Sequence, residues 1–133
     1  MPELTTSVAE MVAAARARIE EVEIDQMVPL IEDPDVVIVD IRDVRERQKL
    51  GHIPGSFHCP RGMLEFWVDP QSPYFKEIFA ADKKFIFHCA SGWRSALSVA
   101  LLQDMGFDAA HLREGFSAWA KSGAPVQMPA PRD

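Results

Sequence analysis

Short, unbroken apolar runs alternate along this chain with stretches in which apolar residues recur every three or four positions. Val36-Val37-Ile38-Val39 is continuous and β-branched, the pattern of a central parallel strand buried on both faces. Phe85-Ile86-Phe87 follows the charged Asp82-Lys83-Lys84 and predicts a second buried strand. Ala96, Leu97, Val99, Ala100, Leu101, Leu102 and Met105 fall at helical spacing and predict a helix from Ala96 to Met105. Thr5-Thr6-Ser7 with Glu10 forms a capping-box pattern that opens a helix from Val8 to about Glu21. Its many small residues make it an appended helix rather than a core element. Weaker signals place an edge strand at Val22–Ile24, short strands at Ser56–Cys59 and Asp108–Leu112, and short helices at Gln26–Ile31, Arg61–Val68, Tyr74–Ala80 and Phe116–Lys121. The charged stretch after Asp40 is read as helical in its second half, ending at Gly51. Strands that alternate with helices across short connections predict an α/β fold: a central parallel β-sheet flanked by helices on both faces, with an extra N-terminal helix.

Composition narrows the function. A chain of 133 residues supports one core without a disulfide or metal staple. The net charge of −6, with no basic patch interleaved with aromatics, argues against a nucleic-acid partner. No apolar run reaches the length of a membrane span, and Met1 to Glu20 lacks the apolar centre of a secretory leader. Cys59 and Cys89 form neither a CxxC pair nor a metal-ligand cluster, so a reduced, cytoplasmic protein is expected. The absence of a glycine-rich nucleotide loop or cofactor lysine motif leads to an expectation of no cofactor and no metal.

Cys89 carries the chemistry. It stands between the strand at 85–87 and the following helix, at the head of Ala90-Ser91-Gly92-Trp93-Arg94-Ser95. There a side chain faces backbone N–H groups at a helix N-terminus, which favours an anion and hence the reactive thiolate form. A buried structural cysteine is the commoner fate of the residue, but a polar, glycine-containing loop with an arginine points instead to a nucleophile. Backbone N–H groups from Ala90 to Ser95 can ring the sulfur, Gly92 allowing a conformation other residues resist. Arg94 supplies a fixed positive charge, for a substrate oxyanion or for orienting the loop, the plainer alternative being a surface salt bridge. Ser91 and Ser95 either donate hydrogen bonds to the sulfur or cap the helix. Trp93 is either a wall of the site or packing against a neighbouring loop. Asp40 and Arg42, at the end of the central strand, read as a supporting pair behind the loops, and His52 as a hydrogen-bonding loop residue. His88 is expected to point into the sheet. Cys59 is most simply a buried filler.

Four segments together resemble the rhodanese-like sulfurtransferase family. They are Val37-Ile38-Val39-Asp40-Ile41-Arg42-Asp43, Gly51-His52-Ile53-Pro54-Gly55-Ser56, the Cys-x-x-Gly-x-Arg-Ser loop from Cys89 to Ser95, and Met105-Gly106-Phe107 followed by Glu114-Gly115-Phe116-x-x-Trp119. They occur in the family's order between about Val22 and Val126. Glu114 departs from the pattern, standing where the family has the first glycine of a pair. With the capping-box helix over 1–21 as an extension and the proline-rich end over 127–133 as a flexible tail, the resemblance implies a rhodanese-like domain over 22–126. It also implies double displacement: Cys89 takes a sulfane sulfur from a small anion such as thiosulfate and passes it to a thiol or protein acceptor. Two alternatives stay open, a persulfide carrier that serves a partner protein and a dual-specificity-type phosphatase. The sequence leaves the oligomeric state undetermined.

Overall fold

A computed structural model describes residues 1–130. Five parallel strands, β1 (Glu20–Val22), β2 (Val36–Asp40), β3 (Phe57–His58), β4 (Lys84–His88) and β5 (Ala110–Leu112), lie in the order β1-β5-β4-β2-β3. The α-helices are α1 (Val8–Arg16), α2 (Ile24–Met27), α3 (Val44–Leu50), α4 (Leu64–Val68), α5 (Trp93–Asp104) and α6 (Gly115–Lys121). Alternation along the strands divides the core between the two faces of the sheet. Val37, Val39, Phe85 and Phe87 pack with Leu64, Val68, Val99 and Leu102 of α4 and α5. Ile38 and Ile86 pack on the other face with Met27 of α2 and Phe116 and Trp119 of α6. The expected α/β architecture, a parallel sheet with helices on both faces, is the one observed.

Several boundaries differ from expectation, each for a tertiary reason. α1 stops at Arg16, and Glu20 and Glu21, which read as its last turn, instead pair with Ala110 and His111 of β5. Val12 and Ala15 pack on Ala96 and Ala100, so α1 seats a small-residue face on α5. The helix expected at 26–31 begins earlier. Glu23 and Gln26 form its capping box, and beyond Met27 the chain tightens into a 3₁₀ turn, Val28–Glu32, that accommodates Pro29. In place of a helix over 74–80 there is only a 3₁₀ turn, Glu77–Ala80. α5 begins at Trp93 rather than Ala96, because Gly92 at φ +87° turns the chain directly into the helix.

The chain is held as far as Gln127, the first residue of the tail expected to be flexible. The Trp119 indole donates to the Pro125 carbonyl, and Gln127 exchanges both backbone hydrogen bonds with His52. Of the tail expected over 127–133, residues 131–133 lie outside the described residues.

Candidate active site

The C-terminal edge of the sheet collects the groups that the sequence singles out. β4 ends at His88, and the chain turns through Cys89, Ala90, Ser91 and Gly92 into the first turn of α5. Cys89 is fully buried at the floor of this loop rather than exposed, its side chain joining the core between Phe87 and Val99. Of the amides from Ala90 to Ser95, those of Gly92 and Ser95 donate to its Sγ, at 3.2 and 3.4 Å. These amides are without intrahelical partners at the start of a helix, which leaves them to the sulfur. The arrangement suits a sulfur that carries negative charge.

Two glycines make the loop possible. A Cβ on Gly92 would stand 2.2 Å from the Arg113 carbonyl oxygen. A Cβ on Gly115, at φ +80°, would stand 2.5 Å from the Ala90 carbonyl oxygen. That close approach lets α6 clamp the loop from below. The Phe116 amide donates to the Cys89 carbonyl at 2.8 Å and the Ser117 amide to that of Ala90 at 3.0 Å. Glu114, which replaces a family glycine, has φ −91° and needs no glycine.

The remaining loop residues divide. Arg94 forms a two-pronged ion pair with Glu46 of α3, at 3.0 and 3.2 Å. The hydrogen bonds favour the charged form of each, lowering the Glu46 carboxyl and raising the Arg94 guanidinium from their ordinary ranges. Trp93 and Ser91 are exposed. Ser95 is fully buried; its hydroxyl lies 3.6 Å from Cys89 Sγ and bonds His111 rather than capping the helix.

Asp40 and Arg42 form a fully buried pair behind the loop, Arg42 Nη2 donating to Asp40 at 2.9 Å and to the Gly51 carbonyl at 2.8 Å. Arg47 adds a second cation at 2.9 Å from Asp40. Burial raises the Asp40 carboxyl, but the hydrogen bonds from Arg42 and the charges around it outweigh this and hold it well below the usual carboxylate range. The Arg42 guanidinium lies over the Phe116 ring, 4.0 Å from its centre, which ties this pair to α6. His52 Nδ1 lies 3.1 Å from the Ile53 carbonyl, a local loop contact. His88 is buried on the face away from Cys89, and burial pushes it down to about 4 against the pull of Asp40. Cys59 is buried as well, its thiol pushed up to about 12 by burial.

Glu46, His111, Glu21 and Arg16 border the site with no sequence signal that marks them as site residues, and Gly115, quoted only within its motif, joins them. His111 shows only a weaker hint, a polar residue between Ala110 and Leu112 in an otherwise apolar strand. Among the described residues no group of three or more His, Cys, Asp or Glu side chains is placed to hold a metal ion, and no helix is long and apolar enough to cross a membrane.

Comparison with known proteins points to one family whose members carry differing names. The family model for the rhodanese-like domain matches residues 23–122. A sulfurtransferase of Allochromatium vinosum is 31% identical over 101 residues, 75% of this chain and 86% of that protein. The dual specificity phosphatase Cdc25 of Arabidopsis thaliana is 33% identical over 111 residues, 76% of this chain and 73% of that protein. Among solved structures, a protein of unknown function from Rhodopseudomonas palustris CGA009, described as a possible tyrosine phosphatase, superposes with a TM-score of 0.90 at 50% identity, covering 96% of this chain and 99% of that one.

Proposed function

This chain belongs to the rhodanese-like domain family, and from that premise we propose that it is a sulfurtransferase acting through a persulfide on Cys89. The observation that carries the reading is the pair of amides aimed at Cys89 Sγ from the first turn of α5. Cys89 thiolate attacks the outer sulfur of a donor such as thiosulfate. A Cys89 S–S bond forms, and the donor's S–S bond breaks as sulfite leaves with the electron pair. A thiophilic acceptor, cyanide in an assay or a thiol or protein in the cell, then attacks the outer sulfur and releases the thiolate. No cofactor enters either step. The helix-end amides stabilise both anions of the cycle, and Arg94 orients the anionic donor from the rim of the loop. The catalytic unit spans residues 22–126 and works in the cytoplasm.

The names of the phosphatase relatives favour a second reading, hydrolysis of a phosphate ester by the same cysteine. Against it stands loop length. Only Ala90, Ser91, Gly92 and Trp93 separate Cys89 from Arg94, one residue fewer than in the His-Cys loops of cysteine phosphatases. The smaller ring suits one sulfur beside the thiolate better than a phosphoryl group with several oxygens.

Intact-mass measurement after exposure to thiosulfate decides between them. One added sulfur atom on Cys89, lost on adding cyanide, is the expected result. Cys89→Ser should abolish both the mass gain and thiosulfate:cyanide turnover, since a serine hydroxyl is scarcely ionised at neutral pH. Cys89-dependent hydrolysis of an aryl phosphate with no persulfide detectable overturns the sulfur reading. A persulfide that reaches only a protein acceptor, with poor turnover on cyanide, identifies the carrier form.

A further inference from the structure

Behind the thiol runs a file of polar groups that the transfer steps leave unused. Cys89 Sγ is 3.6 Å from Ser95 Oγ, and Ser95 Oγ is 2.8 Å from His111 Nδ1. His111 Nε2 is 3.0 Å from Glu21 Oε2, which also accepts from Arg16 Nη1 at 2.7 Å. Cys89, Ser95 and His111 are fully buried, whereas the Glu21 and Arg16 side chains are 23% and 25% exposed. The file therefore leads from the sulfur to solvent through α5, β5, β1 and α1. Strand register assembles it, for Glu21 and His111 are paired residues of β1 and β5.

Donor and acceptor roles follow from the groups themselves. A carboxylate only accepts, so His111 Nε2 carries the proton of the bond to Glu21. Burial keeps the His111 imidazole below its ordinary range, against the pull of Glu21, so Nδ1 is bare and accepts the Ser95 hydroxyl. Ser95 Oγ then turns its lone pairs to Cys89 and accepts the S–H. The amides of Gly92 and Ser95 wait on the same sulfur for the charge that remains once the proton leaves.

We propose that Ser95, His111 and Glu21 form a proton relay that takes the proton from Cys89. The Cys89 S–H bond breaks as its proton passes to Ser95 Oγ, and the Ser95 hydroxyl proton passes to His111 Nδ1. The products are a thiolate held by two amides and an imidazolium held against Glu21; nothing is oxidised or reduced. Around this pair stand the Arg94 guanidinium on α5, Arg16 on α1, which opposes the imidazolium, and Phe87, the apolar register partner of His111 on β4. Arg16 makes the charged pair costly enough to be transient, returning the proton through Glu21 to solvent. Ser95 is the group that touches the reacting atom, and His111 and Glu21 are positioning residues that act through it. The inference rests on Cys89 being the nucleophile of the reaction proposed above.

The test is the rate of Cys89 carboxymethylation by iodoacetamide from pH 5 to 10, a readout that needs no sulfur transfer. Ser95→Ala, which keeps the packing, and His111→Asn, which keeps hydrogen-bonding groups but takes no proton, should each lose about tenfold or more in rate at pH 7. Their midpoints should move to higher pH while the high-pH plateau stays at the native value. The double variant should be no slower than either single one. Glu21→Gln, which keeps the bond to His111 without the charge, should shift the midpoint in the same direction by less. Native and His111→Asn profiles that coincide overturn the relay, as does a loss that persists undiminished at the plateau. If the midpoints shift but no persulfide ever forms, the sulfurtransferase reading falls and the relay stands. If a persulfide forms and the profiles coincide, the relay alone falls.

Discussion

Cys59 and Cys89 are equally buried, yet their surroundings oppose one another. Cys59 meets only the Pro60 carbonyl, 4.0 Å from its sulfur, and burial pushes its thiol up to about 12, leaving it un-ionised at neutral pH. Cys89 meets two N–H groups instead of a carbonyl. Iodoacetamide should therefore modify Cys89 in the native protein and spare Cys59, as peptide mapping after brief labelling will show; equal labelling removes the case for an anion site. Arg94 gives a second contrast. Its pairing with Glu46 holds the guanidinium beside the loop without neutralising its use, since an anionic donor can compete for the same donors. Arg94→Ala should lower kcat/KM for thiosulfate about ten- to a hundredfold, the worth of a charge-assisted contact, and lower it less for an uncharged donor. Equal losses for both donors would confine Arg94 to shaping the loop.

Between elements, the tightest junction is the one where α6 meets the Cys89 loop, and Gly115 is its pivot. Gly115→Ala places a methyl group 2.5 Å from a backbone oxygen that has no room to retreat, at a φ that itself costs roughly 1–2 kcal/mol. Gly106 has φ +91° and open space where its Cβ would be, so Gly106→Ala carries the backbone cost alone. Urea unfolding should show the larger loss for Gly115→Ala, and only that variant should also lose sulfur transfer. If the two variants behave alike, the clamp carries no weight. The difference between these glycines is tertiary, and so is most of what the sequence left unread. The Cys89 loop was legible because its nucleophile, glycine and arginine are contiguous, and β2 and β4 because a strand buried on both faces has to be apolar throughout. Glu21 reads as the end of a helix and becomes visible as a strand residue only once β5 lies beside it. His111, Glu21 and Arg16 are brought together by register, and Glu46 reaches Arg94 across 48 positions. Local periodicity carries no trace of such meetings.

At the scale of the whole molecule, two opposing effects act on acidification. The chain carries a formal charge of −6 at pH 7 and an isoelectric point near 5.2, so mild acid reduces self-repulsion and favours the compact state. The buried histidines act the other way. Burial holds His88 down at about 4, against 6.5 for the ordinary group, and shifts His111 in the same direction. Below pH 6.5 the unfolded chain binds protons that the fold refuses, so stability is full above that value and falls as the pH drops toward 4. For His88 alone the span is worth roughly 3 kcal/mol, a large share of the ~5–15 kcal/mol that holds a domain together. Diffuse surface charge is screened by salt, whereas a buried imidazole is not, so the histidine effect should win. Asp40 does not contribute in this window. Its carboxyl is held well below the usual range, so its share of stability is intact above pH 3.8 and is lost only in stronger acid. Urea midpoints measured at intervals from pH 7 to pH 4.5 should accordingly decline below pH 6.5, with little change on adding salt. His88→Gln should start lower at pH 7 and decline less steeply, having no imidazole to protonate. A native midpoint that is flat across this range, or that rises toward the isoelectric point, would mean that surface charge and not the buried imidazoles governs the response to acid.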